Sequence, residues 1–504
     1  QGNVHLTRLL DLFGLTGRLN ENGAASPADE TVDYEAVNTI LAREKEASLQ
    51  YLAASSGADM SRTKKFIMNS TTAAAYQVVV LAVGLITPRI MLQTYGSEVN
   101  GLVSSIKQFI SYFYLVSAGL SGAASYALYK PLADKDYKAI NAVVAAAKKF
   151  YTRAGWLFVL LTVVLAVAYP FYIKTEALAP LFIGLLVLVL GVSGTLDFFT
   201  LSKYNVLLNA DQKNFVISLA SMVALIINTI MLVFLAYNKV GILELKAIVL
   251  FTVFLRSAIL MIYCKKNYKY LNYNETPNFT ALSRRWDALF QQLLGVIGTS
   301  APAVIITLVS KDLKLVSVYT VFNMVITGLN GVMNIFTNGL IASFGEVIAK
   351  GEIKVLQKAY REFEFTYLTL ITAVYSITFV VIMPFIRLYT RNITDANYDL
   401  PLIGFLFVLN ALLSNIKTPQ AMLVLSAGMY RETRWRATIQ SAIIIVGGVI
   451  LTPFMGLYGV LIALIASNVY RTIDLLLFTP KYVTHLSVWG SLARLLRVFL
   501  ASAA

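Results

Sequence analysis

The protein has 504 residues, of which 57% are hydrophobic and only 14% are charged, and its mean hydropathy is +0.68. Soluble globular proteins average about 45–50% apolar and about 25% charged residues. Because the apolar residues are spread over most of the chain, one soluble core cannot enclose them. The composition excludes a soluble enzyme, a disordered protein and a secreted disulfide scaffold, and it indicates a polytopic membrane protein.

The charge is distributed unevenly. The 42 Lys and Arg residues exceed the 27 Asp and Glu residues by 15. Residues 1–59 hold four basic and nine acidic side chains, so residues 60–504 hold the other 38 and 18, a net charge of +20. In a membrane protein such an excess is typical of cytoplasmic loops, and we expect no nucleic-acid partner. The single cysteine, Cys264, and the two histidines exclude a disulfide framework and argue against a metal site.

The first 59 residues differ in character from the rest. A Gly/Asn/Ser/Pro-rich stretch at 20–27 is followed by a charge-rich amphipathic helix candidate at about 33–52, and a long apolar run begins soon after Met60. We interpret residues 1–59 as a soluble leader, either a fusion segment or a native soluble extension, and we place the native N-terminus near Met60. No apolar stretch typical of a signal peptide lies within it.

Twelve apolar segments follow, each of roughly 20 residues or more, which is enough to cross about 30 Å of hydrocarbon. They lie near residues 67–92, 101–129, 153–173, 178–202, 214–237, 243–263, 287–310, 315–345, 362–388, 398–428, 437–454 and 457–479. We therefore predict an all-α polytopic membrane protein with at least twelve transmembrane helices. The predicted divisions are an N-terminal six-helix lobe (60–270), a cytoplasmic linker (271–283), a C-terminal six-helix lobe (284–485) and an interfacial helix or truncated thirteenth span (486–504).

The basic residues between spans predict the orientation. If Met60 lies in the cytoplasm, the cytoplasmic connections collect 26 Lys and Arg residues and the outer connections seven, among them Lys239, Lys246 and Lys311. Positive charge is retained on the cytoplasmic side of membrane proteins. The pattern indicates a multi-pass protein of the bacterial cytoplasmic membrane with the Met60 end inside.

An internal repeat indicates two similar halves. The segment Gly241 to Lys266 can be laid on Gly456 to Lys481 at a constant offset of 215, which pairs Arg256 with Arg471. Six crossings return the chain to its starting side, so the two halves would have the same orientation. Parallel repeats of this kind, with the substrate path between the halves, occur in transporters. We therefore expect two lobes related by a parallel repeat around a central cavity.

Charged residues left inside the spans are candidates for the substrate site. Of the 38 basic residues, 33 fall in loops, which leaves Arg89, Lys107, Arg256, Lys417 and Arg471 as candidate substrate-binding residues. Among the acidic residues, only Asp197 and Asp474 lie as deep within the predicted spans as these bases, and both are candidates for ion coupling. A charge at the bilayer centre costs about 2.5–3.5 kcal/mol even on the lenient scale, so each needs a partner or a wet cavity. A surplus of buried bases favours an anionic substrate.

Each of these residues also has a structural interpretation. Arg471 and Asp474 are three residues apart and could form a local ion pair. Arg89 and Lys107 could extend to the outer surface. Lys417 lies two residues before Pro419, where a broken helix would expose carbonyl groups. Asp197 could bind a coupling cation or act as a structural counter-ion.

Four motifs in the chain are characteristic: Tyr95-Gly-Ser-Glu-Val-Asn-Gly-Leu-Val-Ser-Ser-Ile, Leu120-Ser-Gly-Ala-Ala, Ser343-Phe-Gly-Glu and Pro384-Phe-Ile-Arg-Leu-Tyr-Thr. They resemble motifs of Wzx-type polysaccharide flippases of Gram-positive bacteria, within the multidrug/oligosaccharidyl-lipid/polysaccharide exporter superfamily. The resemblance extends from Met60 to about residue 485. It implies two six-helix lobes around a central cavity and export of an undecaprenyl-diphosphate-linked oligosaccharide repeat unit by alternating access, for capsule or other surface polysaccharide.

The resemblance also sets the expected partners. We expect a transporter rather than an enzyme, with no cofactor, and a coupling cation, Na⁺ or a proton, is left open. The substrate lipid, the bilayer and a polysaccharide polymerase are the expected partners of a monomer. A multidrug or cation antiporter of the same superfamily is the alternative, and a membrane glycan polymerase or ligase is a third. The chain has no G-x-x-x-x-G-K-[ST] loop for ATP hydrolysis.

Overall fold

All the regular elements in the part of the chain described by the computed structural model, residues 34–279, 285–338 and 340–503, are helical. The chain divides into two units, Gln1–Lys64 and Lys65–Ala504. The Gly/Asn/Ser/Pro-rich stretch of the leader lies outside the described residues, whereas its amphipathic segment belongs to a helix that begins at Tyr34. The all-helical fold class predicted from the sequence is confirmed.

Eighteen α-helices are present in the described residues. They are α1 (Tyr34–Phe113), α2 (Leu120–Asp134), α3 (Tyr137–Tyr172), α4 (Pro180–Leu196), α5 (Ser202–Ala210), α6 (Asn214–Tyr237), α7 (Ile242–Val249), α8 (Phe251–Asn267), α9 (Arg285–Ile305), α10 (Leu313–Asn338), α11 (Leu340–Ala349), α12 (Ile353–Tyr389), α13 (Pro401–Ile416), α14 (Thr418–Ser426), α15 (Tyr430–Ala442), α16 (Gly448–Met455), α17 (Leu457–Thr479) and α18 (Val488–Ala503). Short π-helices at Asp197–Leu201, Ile306–Ser310, Ile443–Gly447 and Pro480–Thr484 and a 3₁₀ turn at Tyr114–Ser117 join or extend them.

Within the described residues, eleven helical stretches are long and apolar enough to cross a membrane. The first of them, Lys64–Asp134, has 71 residues, more than three times the length that one crossing needs. Gly96 divides it, because its φ of 81° and ψ of 172° interrupt the helix in a conformation that favours glycine. Its two parts correspond to the first two of the twelve predicted spans. The protein is a multi-pass membrane protein.

Two hydrophobic cores mark the two lobes. The N-terminal core draws its buried residues from positions 91–268, with Leu313, and includes Leu102, Phe158 and Leu207. The C-terminal core draws on positions 301–498, with Leu92, and includes Tyr375 and Phe407. Met91 and Leu92, neighbours on α1, belong to different cores. The first crossing therefore packs against both lobes.

The helix boundaries follow the predicted repeat. The sixth and twelfth crossings begin at Ile242 and Leu457, which are 215 positions apart. Helices α3 and α12 both contain a proline near their last turn, and the next helix of each lobe begins with a proline, Pro180 and Pro401. Proline is favoured at a first helical position because its missing N–H needs no partner there. In both lobes, the helix that begins with this proline is interrupted after about four turns, at Asp197 in one lobe and at Lys417 in the other.

A polar network ties three helices together at one end of the N-terminal lobe, which we call the Lys65 end. The Asp211 carboxylate lies 3.3 Å from the Lys65 ammonium and 2.8 Å from that of Lys213, and it accepts a 2.6 Å hydrogen bond from the Tyr268 hydroxyl. Burial raises the pKa of Asp211, but the hydrogen bonds from Lys213 and Tyr268 outweigh it, so the net pKa is lowered. The carboxylate is therefore charged at neutral pH and fixes the loop between α5 and α6.

The last helix is attached to its lobe through a buried ion pair. Arg494 of α18 lies 2.5 Å from the Glu364 carboxylate of α12, whose side chain is 0% exposed. The same carboxylate accepts hydrogen bonds from the Tyr360 hydroxyl at 2.9 Å and the Gln420 amide at 3.1 Å. Residue Glu364 is thus a deeply buried acid that the sequence analysis assigned to the start of a span.

Candidate substrate cavity and lobe interface

The two lobes are fastened together at the end opposite the Lys65 end, which we call the Gly96 end. Asp395, in the connection between α12 and α13, accepts hydrogen bonds from the Ser97 backbone N–H at 2.6 Å and the Ser97 hydroxyl at 2.7 Å. The Tyr398 hydroxyl contacts Ser97 at 2.8 Å and Ser317 at 2.9 Å, and Asn100 donates to Ser317 at 2.8 Å. We call these five residues the latch. Burial raises the pKa of Tyr398, so its hydroxyl keeps the proton that it donates.

The backbones of the lobes also meet beneath the latch. A Cβ atom at Gly101 would overlap the carbonyl group of Leu313, where α10 begins. Thr307 continues the interface deeper, where its hydroxyl lies 2.8 Å from that of Ser105. Towards the Lys65 end, fewer hydrogen bonds join the lobes in the described residues. They are Ser111 with Ser300 at 2.7 Å and the Gly119 N–H with the Gln292 side chain at 3.2 Å. The hydrogen bonds between the lobes are therefore concentrated at the Gly96 end.

Arg256 and Asp197 lie together in the N-terminal lobe. The Arg256 guanidinium is 3.9 Å from the Asp197 carboxylate, and the Tyr114 hydroxyl donates to the same carboxylate at 3.4 Å. Asp197 occupies the first position of the π-helix between α4 and α5, and such local insertions are frequent at functional sites. The Nε atom of Arg256 is buried without a hydrogen-bond partner among the described residues. Arg256 is therefore only weakly paired with Asp197, and its guanidinium keeps N–H donors that have no partner in this part of the chain.

Lys107 lines a cavity of about 310 Å³ inside the same lobe. The polar side chains around the cavity are Lys107, Ser111, Tyr114, Ser193, Asn228 and Lys246. The Lys107 side chain is exposed to this space, although α1 is deep in the protein at this point. No hydrogen bond or ion pair is found for its ammonium in the described part of the chain.

The placement of Lys246 corrects the sequence analysis. The residue was counted with the outer loops because it lies near the start of the sixth apolar segment. In the structure it belongs to α7, and it is only 6% exposed. The loop assignment was wrong because α7 begins at Ile242, only a few residues after α6 ends, so this end of the span is covered by neighbouring helices. The sequence did contain a signal for this burial, because Lys246 lies about one helical turn inside the predicted start of the sixth span.

Lys417, Arg471 and Asp474 come together in the C-terminal lobe. Arg471 donates to the Asp474 carboxylate at 2.6 Å, and Arg436 of α15 pairs with its other oxygen. The Lys417 ammonium, where the helix breaks between α13 and α14, donates to the Asn468 side chain. The sequence analysis counted Arg436 among the loop residues. Its partner Asp474 lies 38 positions later in the chain, so the pairing was not visible from the sequence.

The predicted repeat relates these two clusters. Arg256 and Arg471 occupy the paired positions of the sixth and twelfth crossings, and Asp197 and Lys417 lie at the interruptions of the fourth and tenth. In the N-terminal lobe the interrupted helix carries an acid beside the arginine. In the C-terminal lobe it carries a base, and the acid, Asp474, lies on the arginine's own helix. The lobes thus hold similar positions with different charges.

Arg89 lies apart from both clusters. Its guanidinium is 5.8 Å from the ring centroid of Tyr389, at the end of α12, and the Tyr389 hydroxyl donates to the Leu85 carbonyl at 2.6 Å. A cation over an aromatic face is stabilised by about 0.5–2 kcal/mol, depending on its exposure. The structure therefore places Arg89 where α1 meets the C-terminal lobe.

Comparison of the charged residues within the spans shows which ones lack a counter-ion. Asp197, Asp474 and Glu364 each have at least one arginine partner. In the described residues, no acidic partner is found for Lys107, Lys246, Lys417 or Arg89. The basic surplus that the sequence predicted is therefore present in the folded chain, with Lys246 added to it.

Comparison with solved structures shows the same fold in membrane transporters. An inward closed form of the lipid II flippase MurJ matches with a TM-score of 0.65 and 15% identity over 87% of this chain and 97% of that one. An inward-facing multidrug resistance MATE family transporter of the MOP superfamily matches with a TM-score of 0.59 and 14% identity over 86% of this chain and 99% of that one. A eukaryotic MATE transporter, AtDTX14, matches with a TM-score of 0.51 and 14% identity, over 85% and 100%.

This chain has the fold of the MOP superfamily transporters. No protein-family model matches its sequence, and no curated protein matches it either. The two-lobed helical architecture that the resemblance implied is therefore confirmed by structure, at sequence identities that show the fold alone.

Proposed function

We propose that the protein is a flippase that exports undecaprenyl-diphosphate-linked oligosaccharide repeat units across the bacterial cytoplasmic membrane. The observation that carries the proposal is the set of basic side chains without acidic partners, Lys107, Lys246, Lys417 and Arg89, inside a two-lobed transporter fold. Unpaired charge in a membrane interior is costly unless a ligand or a wet cavity compensates it. A diphosphate would supply the missing negative charge.

The proposed mechanism is alternating access. With the Lys65 end in the cytoplasm, the latch closes the outer side, and the lipid diphosphate enters between the lobes from inside. Arg256 offers a planar guanidinium with unused donors, which suits two phosphate oxygens better than a point ammonium does. The glycan would occupy the aqueous cavity while the polyprenyl tail stays in the lipid. Opening of the latch and closure of the Lys65 end would then release the substrate outside.

Asp197 and Asp474 are the proposed sites for ion coupling. Asp197 is the better candidate, since its pairing with Arg256 spans 3.9 Å and includes no hydrogen bond. A cation or proton at Asp197 would free Arg256 for the substrate. Asp474 is held by two arginines and serves as a structural counter-ion in this proposal.

A multidrug or cation antiporter is the second candidate. It is favoured by the structural similarity to MATE family multidrug transporters. A cationic drug, however, needs acidic groups to face it, whereas Asp197, Asp474 and Glu364 each have an arginine partner. The charge pattern therefore supports an anionic substrate.

Replacement of Arg256 tests the proposed function. Arg256→Ala should reduce surface polysaccharide at least tenfold in a flippase-deleted strain complemented with the variant, because the diphosphate loses its two-pronged donor. Arg256→Lys should restore only part of the export, because it keeps the charge and loses the geometry. Polysaccharide is measured on intact cells, with the amount of protein in the membrane checked for each variant.

Arg387→Ala is the matched control. Arg387 also pairs with an aspartate, Asp399, at 2.9 Å, but both side chains are more than half exposed at the Gly96 end. Export should be unchanged in this variant. Full export by Arg256→Ala at a normal protein level would refute a substrate-binding role for Arg256.

A further inference from the structure

The cavity inside the N-terminal lobe has the chemistry of an anion site. Its volume is about 310 Å³, enough for a phosphate or diphosphate group with some water. All six polar side chains around it, Lys107, Ser111, Tyr114, Ser193, Asn228 and Lys246, can donate hydrogen bonds. None of the cavity-lining residues in the described chain is acidic. The walls are completed by aliphatic side chains of α4, α7 and α8.

Lys246 is the second, independent indication. Its side chain is more than nine-tenths buried, and its ammonium has no hydrogen-bond or ion-pair partner in the described residues. It faces the same cavity as Lys107. Two like charges that share a small space repel each other, and the buried Lys246 also loses hydration. An arrangement of this kind is stabilised when an anion lies between the two ammonium groups.

The nearby acids do not fill this role. Asp197 is held at the edge of the cavity by the Tyr114 hydroxyl and by Arg256, which balances its charge. Glu244, on the first turn of α7, lies against Gly241 and does not line the cavity. The Asn228 amide donates to the Thr252 hydroxyl at 3.1 Å, which orients that side chain. Neither acid neutralises Lys107 or Lys246, so an external anion could bind to them.

One wall of the cavity lies beside the other lobe. Ser111 lines the cavity and also contacts Ser300 of the other lobe at 2.7 Å, so this wall lies on the lobe interface. The site is separate from the cluster of Lys417 and Arg471 in the other lobe.

We propose that this N-terminal cavity binds one phosphate-type oxyanion between Lys107 and Lys246, with Asn228 and the surrounding hydroxyls as further ligands. The proposal does not depend on the transported glycan. The anion has two sources, either free inorganic phosphate or diphosphate or the diphosphate of a polyprenyl lipid, and the experiment distinguishes them.

The test uses the purified full-length protein in detergent, and it measures thermal unfolding and binding of inorganic diphosphate and farnesyl diphosphate at constant ionic strength. Inorganic diphosphate should stabilise the protein more than chloride does. Lys246→Met and Lys107→Met should each raise its dissociation constant at least tenfold. Lys314→Met, which removes an exposed lysine at the Gly96 end, should leave binding unchanged.

A second readout separates a ligand site from a structural lysine. Without ligand, Lys246→Met should unfold at the same temperature as the wild type or higher, because it removes an unpaired buried charge. Tighter binding of farnesyl diphosphate than of inorganic diphosphate, lost in Lys246→Met, would identify the lipid as the source, and equal binding would identify the free anion. No anion-dependent stabilisation, equal stabilisation by chloride, or unchanged binding in both methionine variants would overturn the proposal.

Discussion

Gly101→Ala should abolish transport while leaving the protein folded and inserted. The new Cβ atom would overlap the Leu313 carbonyl, so α1 and α10 would have to separate. The latch hydrogen bonds of Ser97 and Asn100 depend on this close approach. Each such bond contributes about 1 kcal/mol, and loss of two or three would shift the balance between closed and open forms by more than tenfold.

Flipping rate and the distance between spin labels on the two lobes at the Gly96 end are the measurements for this variant. The distance should increase, and the rate should fall at least tenfold. Gly122→Ala is the control, because a Cβ atom there meets nothing within 4 Å. Alanine improves the intrinsic helix propensity at both positions by about 1 kcal/mol, so a loss at position 101 cannot come from helix propensity. Normal transport by Gly101→Ala would show that closure does not require this backbone contact.

Arg494→Ala should destabilise the C-terminal lobe strongly. It leaves the Glu364 carboxylate, which is 0% exposed, without its cation. Removal of one partner from a buried ion pair typically costs about 3–5 kcal/mol. The cost here should lie near the lower limit, because Arg494 is 25% exposed and the Tyr360 and Gln420 side chains still donate to the carboxylate.

Thermal unfolding in detergent measures this effect. Lys350→Ala is the control, because it breaks an exposed pair with Glu346 and should leave the melting temperature unchanged. The double variant Glu364→Gln with Arg494→Met should recover most of the loss, because no uncompensated charge remains. A melting temperature equal to that of the wild type in Arg494→Ala would mean that α18 is not held by this pair.

Periodic and compositional features of the fold could be predicted from the sequence. Each crossing needs about 20 apolar residues, and this requirement is local, so the spans were found close to their observed positions. The offset of 215 between Ile242 and Leu457 also followed from short-range similarity. Gly96 was not recognised as the break between the first two spans, although a glycine after a tyrosine between two apolar runs was a usable signal.

Contacts between distant residues could not be predicted in this way. The pairing of Arg494 with Glu364 joins positions 130 residues apart, and that of Asp395 with Ser97 joins positions 298 apart. Nothing in the local pattern of either partner identifies the other. Lys246 was missed for a related reason, since burial at a span end depends on neighbouring helices rather than on hydropathy. The surplus of basic residues within the spans was predictable, because a count of residues requires no knowledge of which residues are in contact.

Reconstitution tests the central claim most directly. Purified protein in liposomes would be supplied with a fluorescent polyprenyl-diphosphate oligosaccharide, and its movement between leaflets measured by quenching from outside. In parallel, uptake of a fluorescent cationic drug would be followed under a proton or Na⁺ gradient. The account predicts movement of the glycan lipid that inorganic diphosphate inhibits, and no drug uptake. Gradient-driven drug uptake without movement of the glycan lipid would contradict it.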